Sequence, residues 1–589
     1  MRTMIRRNRK AGVAFRFPLI ILLLAGLSVP AFRSDLFAAA IPPDRSIIWS
    51  PGIPGGIPAR TAVYTTLNAS SYGNGATDAT SAIQAAINAC PVGQVVQLSA
   101  GTFKVAGTIS VNRGVVLRGA GMGTTALNLG GTGKFTMNGS SGTSFNQTIT
   151  SGYTKDSTSL ALASTSGLAV GDYVAVTETK DPTGAAQGWP VNDSGCSWCG
   201  NNNGDYLMTQ VVRVAAISGN VITLAKPLYV SYAAGLNPRV MNVIGNSSSL
   251  VNAGFEDFTI NAGGVSSVIA VNRAVYCWFK NIEINNFGQY GIIFKYSYGC
   301  VVHGCSIHHG ASETPSAYGS GRAYGIQVMM WNSDHLVENN ILYHLRHMLS
   351  YEGGGSGCVF AYNYMYESLQ DANGFPNNTW LMGQIQTHGA HPYMNLWEGN
   401  QLDHVMQDFT WGSDSHNTTY RSQIQGKGQP SITHNRVALE ISKHNWYANI
   451  VGSVLGFSGM SGGYEVSGSS TGIYLLGATS DGGSAGSDPG VKNTIYRHGN
   501  FDFVNNTTVW DAGNPDRTLP ASLYLTSKPA FFGNKPFPLI GPDLIPMVTD
   551  TPAKDRFSGA APPPPSSPPP VGGSETQKTP NPPLHLMIN

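Results

Sequence analysis

Four segments in the middle of the chain fall into one register: YCWFKNIEI (276–284), GCVVHGCSI (299–307), DHLVENNIL (334–342) and GCVFAYNYM (357–365). Cys277, Cys300, His335 and Cys358 share the second position. Two residues on come Phe279, Val302, Val337 and Phe360; seven on come Ile284, Ile307, Leu342 and Met365. The segments are spaced by 23, 35 and 23 residues. The long step is one coil plus an insertion, SETPSAYGSGRA (312–323). GFEDFTI (254–260) extends the register upstream through Phe255, and MNLWEGNQL (394–402) extends it downstream through Trp397.

A unit this short cannot bury its own apolar side, so stacked neighbours must do it jointly. Strands stacked about 4.8 Å apart turn equal positions into ladders. The apolar positions then form a core, and Asn340, Asn363 and Asn400 form a column of amides at a tight turn. The prediction is an all-β protein, a single-stranded right-handed parallel β-helix. Composition agrees: 71 glycines and only 12% charged residues suit a turn-rich β protein better than a helical bundle.

Residues 1–40 read as a signal peptide. Arg6, Arg7, Arg9 and Lys10 precede the apolar stretch FPLIILLLAGLSVPAF (17–32) and the small residues Ala38–Ala40. The expected location is therefore secreted, periplasmic or at the cell surface, with no membrane span once the signal is removed. Residues 41–143 hold a capping helix and the first coils, and 144–232 a small antiparallel β insert. Residues 233–557 hold the main β-helix, closed by a C-terminal segment over its open end. Residues 558–589 form a Pro-rich, unpacked tail. Without residues 1–40 the chain has 28 basic and 32 acidic residues, which gives no nucleic-acid footprint. Among seven cysteines, Cys196 and Cys199 lie in C-S-W-C, either a local disulfide or half of a zinc site.

Near the N-terminus, residues 74–105 place Ile83, Ala86, Ile87 and Cys90 at helical spacing behind Asp78, a capping residue. The strand QVVQLSAGTFKV and then VVLRGAGMGTTAL follow. With this helix, "AGTF" and "LRGAG", the sequence resembles the pectate-lyase-like superfamily, in its rhamnogalacturonase and epimerase-like branch. The resemblance covers about 70–130 and continues as repeats to about 510. It implies a capped right-handed β-helix and a polysaccharide partner. The N-T-D, D-D, G-H-G and R-I-K set of polygalacturonases is missing, and WNSDH (331–335) has one residue too many for the W-x-D-H of pectate lyases. No named pectin activity follows.

Twelve of the fourteen histidines lie between 303 and 444. His335 and Trp397 occupy core positions. Nine places beyond the cysteine position come Asn286, His309, His344, Glu367 and His404; thirteen places beyond come Tyr290, Glu313, Met348, Asp371 and Asp408. This count brings Asp371 beside Asp408, either as a working acid–base pair or as a solvated ladder. Glu352 (RHMLSYEGGG) and His388 (QIQTHGAH) fall at equivalent strand ends, with Arg346 and His391 nearby. Glu398 and the stretch WGSDSHNTTYR, with Trp411, His416 and Arg421, complete the set. The catalytic candidates are Glu352, Asp371, His388, His391 and Asp408. The substrate-binding candidates are Arg346, Glu367, Glu398, Trp411, His416 and Arg421. No metal ligands are assigned, because HGAH lacks the helical spacing of a zinc motif. The expected function is cleavage of glycosidic bonds in a polysaccharide by a monomer without cofactor, with hydrolysis by paired carboxylates slightly ahead. The alternatives are a polysaccharide lyase, for which calcium becomes a possible cofactor, a uronate epimerase, and a non-catalytic glycan-binding surface protein.

Overall fold

The structure is a computed structural model that describes residues 40–199, 205–245, 249–310, 321–369, 379–468, 470–479 and 482–559. The predicted signal up to residue 39, most of the insertion at 312–323, Asp371 and the tail from 560 lie outside these residues.

Strand register follows the repeats. Phe255, Phe279, Val302, Val337, Phe360 and Trp397 pair in parallel succession. Ile284, Ile307, Leu342 and Met365 do the same. All belong to one buried core. Among the described residues a 22-stranded sheet faces an 11-stranded one. That two-to-one ratio means each coil gives two short strands to the first sheet and one to the second, so the coil is three-sided.

The corner within the first sheet explains the asparagines. The Asn340 backbone N–H and Nδ2 both donate to Asn363 Oδ1, at 3.0 and 2.9 Å. Asn363 repeats the pattern on Asn400, at 3.0 Å for each bond. A sharp buried turn leaves a backbone N–H without a strand partner, and the stacked amide supplies it. A second amide column continues the cysteine position: Cys358 N donates to Asn395 Oδ1 and Asn395 N to Asn417 Oδ1. His335 serves that column, its Nδ1 accepting from Cys300 N at 2.9 Å.

The capping helix spans Thr80–Ala89 and buries Ile83, Ala86 and Ile87. Asp78 accepts from the Thr80 N–H and hydroxyl at 3.1 and 2.6 Å. The insert is a closed antiparallel barrel of six strands, the first Asn146–Ser151 and the last Arg239–Ile244. It runs past the predicted end at 232 because Arg239–Ile244 pairs with two earlier barrel strands. The barrel strand Tyr206–Ser218 lies across the turns that follow the second sheet. There Val211 N donates to Ser333 Oγ at 2.9 Å. Gly354 allows this approach: a Cβ there, at φ +88°, would lie 2.1 Å from Leu207 O. Asp334 of WNSDH holds the barrel through Lys226 and Tyr229, each at 2.7 Å.

The C-terminal segment does not plug the end of the helix. Leu519, Leu523, Tyr524, Phe532 and Leu539 pack along the flank of the first sheet, on Val359, Tyr362, Leu396 and Tyr420. These outward side chains are apolar, and the wrap removes them from water.

Candidate functional site

The second sheet carries the site. Ile326, Leu349, Ile385, Val405 and Leu439 form one row of its strands, and Val328, Tyr351, Thr387, Gln407 and Ile441 another. Their apolar members point into the core. Alternation turns the intervening residues outward. One outward row is Gln327, Ser350, Gln386, Met406 and Glu440. The next is Met329, Glu352, His388, Asp408 and Ser442. Backbone bonds extend this second row past the strand ends, with His388 N on Tyr351 O at 3.0 Å and Asp408 N on Thr387 O at 3.2 Å.

Glu352, His388 and Asp408 therefore stand side by side on three successive coils. His388 Nδ1 lies 2.5 Å from Asp408 Oδ2, which also accepts from Gln386 Nε2 at 2.5 Å. Asp408 Oδ1 accepts from Thr410 N at 3.0 Å. Glu352 Oε1 accepts from Ser350 Oγ at 3.2 Å. At the start of the same strands, Arg346 Nη1 donates to the Tyr324 hydroxyl at 3.1 Å. His347 lies between the Tyr324 and His388 rings, 5.0 and 6.5 Å from them, and its Nδ1–H donates to Gly383 O at 2.8 Å.

The charges divide sharply. Burial pushes the Glu352 carboxyl above its ordinary range, and Asp408 adds to this against the pull of His388 and two hydrogen bonds. Burial opposes the charge on His388, but Asp408, and then Glu352, outweigh it and raise His388 to about 9. Burial, reinforced by the Arg346 cation, drives His347 well below 6.5. At neutral pH the site thus presents an imidazolium at His388 and a neutral imidazole at His347. His347 Nε2, Gln327 Oε1 and Gln386 Oε1 are buried with no hydrogen-bond partner in the protein.

The insert builds the rim. The His388 side chain keeps 15% of its surface and Asp408 none, so His388 is the member of the pair that the exterior meets. At Gly389 an added Cβ would lie 3.3 Å from Cys199 Sγ and 3.4 Å from Glu352 Cβ. Cys199 is disulfide-bonded to Cys196, which rules out the half zinc site. Trp198, within that C-S-W-C loop, meets Trp411 edge to face at 5.7 Å. Trp411 is 42% exposed and keeps an apolar ring face open to the exterior. Asp193 of the same loop fastens it to the helix, accepting from Ser413 N and Oγ at 3.0 and 2.7 Å and lying 2.7 Å from His444 Nδ1.

Other predicted residues lie elsewhere. Asp371 is outside the described residues, and the neighbour of Asp408 is His388. The coil after Asn400 has a strand of two residues, Gln401–Leu402, where the previous coil has Tyr364–Ser368. Counting forward from the first sheet therefore misplaces every residue beyond that strand. His404 is buried, bonded to Val437 O, and does not join the corner column. His309, His344 and Glu367 do form that column, all with left-handed backbone. His344 and Glu367 are paired at 2.8 Å, at the corner before the second sheet and a strand's length from the Glu352 row.

Four candidates are corrected outright. His391 is fully buried, its Nε2 on Ser415 Oγ at 2.9 Å, and burial lowers it to about 4. His416 is buried between Tyr447 and Trp189, at 4.7 and 4.6 Å, and burial lowers it to about 3. Glu398 is sealed under the C-terminal wrap by Tyr362 OH and Leu523 N, at 2.6 and 2.8 Å, and burial raises it to about 7. Arg421 holds Asp543 with two bonds of 2.8 Å and caps three carbonyls of the wrap. His391 is closed in by the next coil of the stack, and the other three are covered by segments whose docking place the sequence does not show. Gln327, Gln386, Tyr324 and Trp198 were not anticipated. The signal for the glutamines was available: in SYE, QTH and MQD, alternate positions are polar or outward-facing at equal strand ends. Among the described residues no group of three or more His, Cys, Asp or Glu is arranged to hold a metal ion.

Comparison with known proteins gives one family match and several distant likenesses among solved structures. Residues 67–314 match the family model described as rhamnogalacturonase A/epimerase, pectate lyase-like. No curated protein matches the chain in sequence. Among solved structures, the tailspike protein gp49 of Pseudomonas phage LKA1 is 16% identical at a TM-score of 0.44; the match covers 64% of this chain and 56% of the tailspike. The chain thus spans little more than half the length of that protein. A polygalacturonase from Erwinia carotovora ssp. carotovora is 12% identical at 0.32, covering 77% of this chain and 94% of its own. The A-module of the Azotobacter vinelandii mannuronan C-5 epimerase AlgE6 is 14% identical at 0.35, covering 74% and 98%.

Proposed function

We propose that this chain, residues 67–314 of which match the family model for rhamnogalacturonase A/epimerase, pectate lyase-like, cleaves an acidic polysaccharide by β-elimination outside the cytoplasm. The observation that carries the reading is the ionisation pattern around the Glu352–His388–Asp408 row. Elimination from a uronate removes the proton next to the carboxylate and breaks the bond to the leaving sugar oxygen. It needs a cation for the carboxylate, a neutral base and a proton donor. His388, held as imidazolium by Asp408, and Arg346 are the cations. His347, neutral with a bare Nε2, is the base on offer, and Glu352, pushed toward its protonated form, is the donor to the leaving oxygen. Trp411 supplies a face for a neighbouring sugar.

Hydrolysis is the second reading, and one observation favours it. Glu352 and Asp408 are two coils apart, about 10 Å along the stack, at the upper edge of the roughly 6.5–9.5 Å between carboxyls that flank a water molecule. Against it, both Asp408 oxygens are already engaged by His388, Gln386 and Thr410. The test incubates the purified protein with polyuronates and neutral polysaccharides and follows reducing ends, ultraviolet absorbance of unsaturated products, and deuterium uptake from solvent. Reducing ends with absorbance, lost in His347→Gln and His388→Ala, support elimination. Reducing ends alone mean hydrolysis, and deuterium uptake without cleavage means epimerisation. No signal across the panel leaves a glycan-binding surface protein.

A further inference from the structure

A cavity of about 350 Å³ opens on a different side of the coil, over the second strip of the first sheet. Its floor is made of two outward columns that strand register dictates. Tyr364, Gln401 and Gln423 are direct partners in successive coils. Two residues on, Tyr366, Asp403 and Gln425 follow in the same order. The Tyr364 and Tyr366 rings are within 9° of parallel and 6.3 Å apart. Phe557 of the C-terminal helix, Pro552–Ser558, packs on both, at 5.1 and 5.8 Å. Tyr366 nevertheless stays 37% exposed.

The opposite wall is cationic. Lys427 and Arg436 line the cavity. Both sit over the Phe457 ring, at 5.7 and 5.6 Å, and among the described residues neither is within 4.0 Å of a carboxylate oxygen; Lys427 acts at longer range on Asp403, whose carboxyl burial pushes above its ordinary range. Lys554, the third cation, is already paired with Asp550 at 2.8 Å. Gln429, also in the lining, has both amide atoms shielded from solvent without a partner in the protein. The volume is at the small end of ligand sites, about 300–1,000 Å³. Aromatic faces bind sugar rings, amides bind hydroxyls, and unpaired cations bind carboxylates.

We propose that this cavity is a second glycan site, separate from the Glu352 row, which takes one acidic sugar unit with its ring on Tyr366 and its carboxylate on Lys427 and Arg436. It does not depend on the catalytic reading. A protein that holds the polymer at two places raises the local concentration of chain at each of them.

The experiment is calorimetric titration of the full chain with a galacturonate trimer, with cellotriose as the neutral probe. The proteins are wild type, Tyr366→Ala, Lys427→Gln/Arg436→Gln, and His388→Ala as the variant of the other site. Circular dichroism checks that each is folded. The expected result is a binding event that weakens at least tenfold in both cavity variants and persists in His388→Ala. It should weaken with added salt, and cellotriose should not produce it. Lys427→Arg should retain it, which separates lost charge from lost structure. Unchanged binding of the acidic trimer in the cavity variants would overturn the site. Equal binding of cellotriose there would overturn its acidic class. Loss of cleavage in His388→Ala bears only on the Glu352 row.

Discussion

Replacing Asp408 with asparagine isolates the electrostatic core of the site. His388 sits at about 9 against an ordinary 6.5, and Asp408 is the main cause. At about 1.4 kcal/mol per pKa unit, this favours the imidazolium by on the order of 3 kcal/mol. The His388 side chain is only 15% exposed, so solvent screening takes little from that figure. Asparagine keeps the shape and an acceptor for Thr410 N but removes the anion. Burial and Arg346 then oppose the charge, with only Glu352 in support, and His388 should titrate below 6.5. The stability consequence has a definite sign. A group whose folded pKa lies above its unfolded value contributes fully below about pH 6.5 and loses that contribution as pH rises through about 9. Wild type should therefore exceed Asp408→Asn by about 3 kcal/mol in urea unfolding at pH 6, and the gap should shrink markedly by pH 9.5. Carbon-detected NMR of the His388 ring checks the pKa directly. Activity at pH 7 should fall at least a hundredfold. A His388 that still titrates near 9 in the variant, or a stability gap that ignores pH, would refute the assignment of Asp408 as the source of the charge.

Asn363→Ala should cost about 2–6 kcal/mol, because it strips partners from the buried N–H and Nδ2 of Asn340 at about 1–3 kcal/mol each; a loss under about 1 kcal/mol in denaturant unfolding would mean the amide column is not structural. Arg421→Met should free the wrap, with a stability loss of about 3 kcal/mol or more, since three wrap carbonyls lose their donor at about 1–3 kcal/mol each. Limited proteolysis should then cut between about 511 and 559, while KM on short substrates stays as in wild type; a rise in KM without new cleavage sites would return Arg421 to the substrate. Cys196→Ser/Cys199→Ser should loosen Trp198 against Trp411, and KM on long polymer should rise about tenfold with kcat nearly unchanged; unaltered KM would show that the tryptophan pair does not touch the chain. Glu352→Gln should lower kcat by about a hundredfold or more and raise stability at neutral pH. A carboxyl with a raised folded pKa destabilises increasingly as pH climbs from its unfolded value, so the gain should vanish below about pH 4.5.

Legibility in the sequence tracked how each feature is enforced. The first sheet could be read almost residue by residue, because every coil must repeat the same apolar and amide positions to keep the stack closed. Phe279, Val302 and Val337 stand in register whatever else the chain does. The second sheet hid behind corners of variable length. From the corner asparagines the row lies 12 residues on at Glu352, 25 on at His388 and 8 on at Asp408, so a fixed count sets Asp371 beside Asp408 where the structure sets His388. The rows would have emerged from aligning the second-sheet strands with each other, SYE with QTH and MQD, without counting across a corner. Burial by distant segments was beyond any local pattern. Arg421 and Glu398 have the side chains of a binding face, and they are used on one, but the ligand is the chain's own residues 519–543. A stacked fold exposes a long polar surface at little cost, so residue type alone cannot separate a groove from a docking strip. What separates them here is charge left uncompensated by the protein. Arg421 finds its carboxylate in Asp543, whereas His388 is more strongly charged than its burial allows and still faces outward.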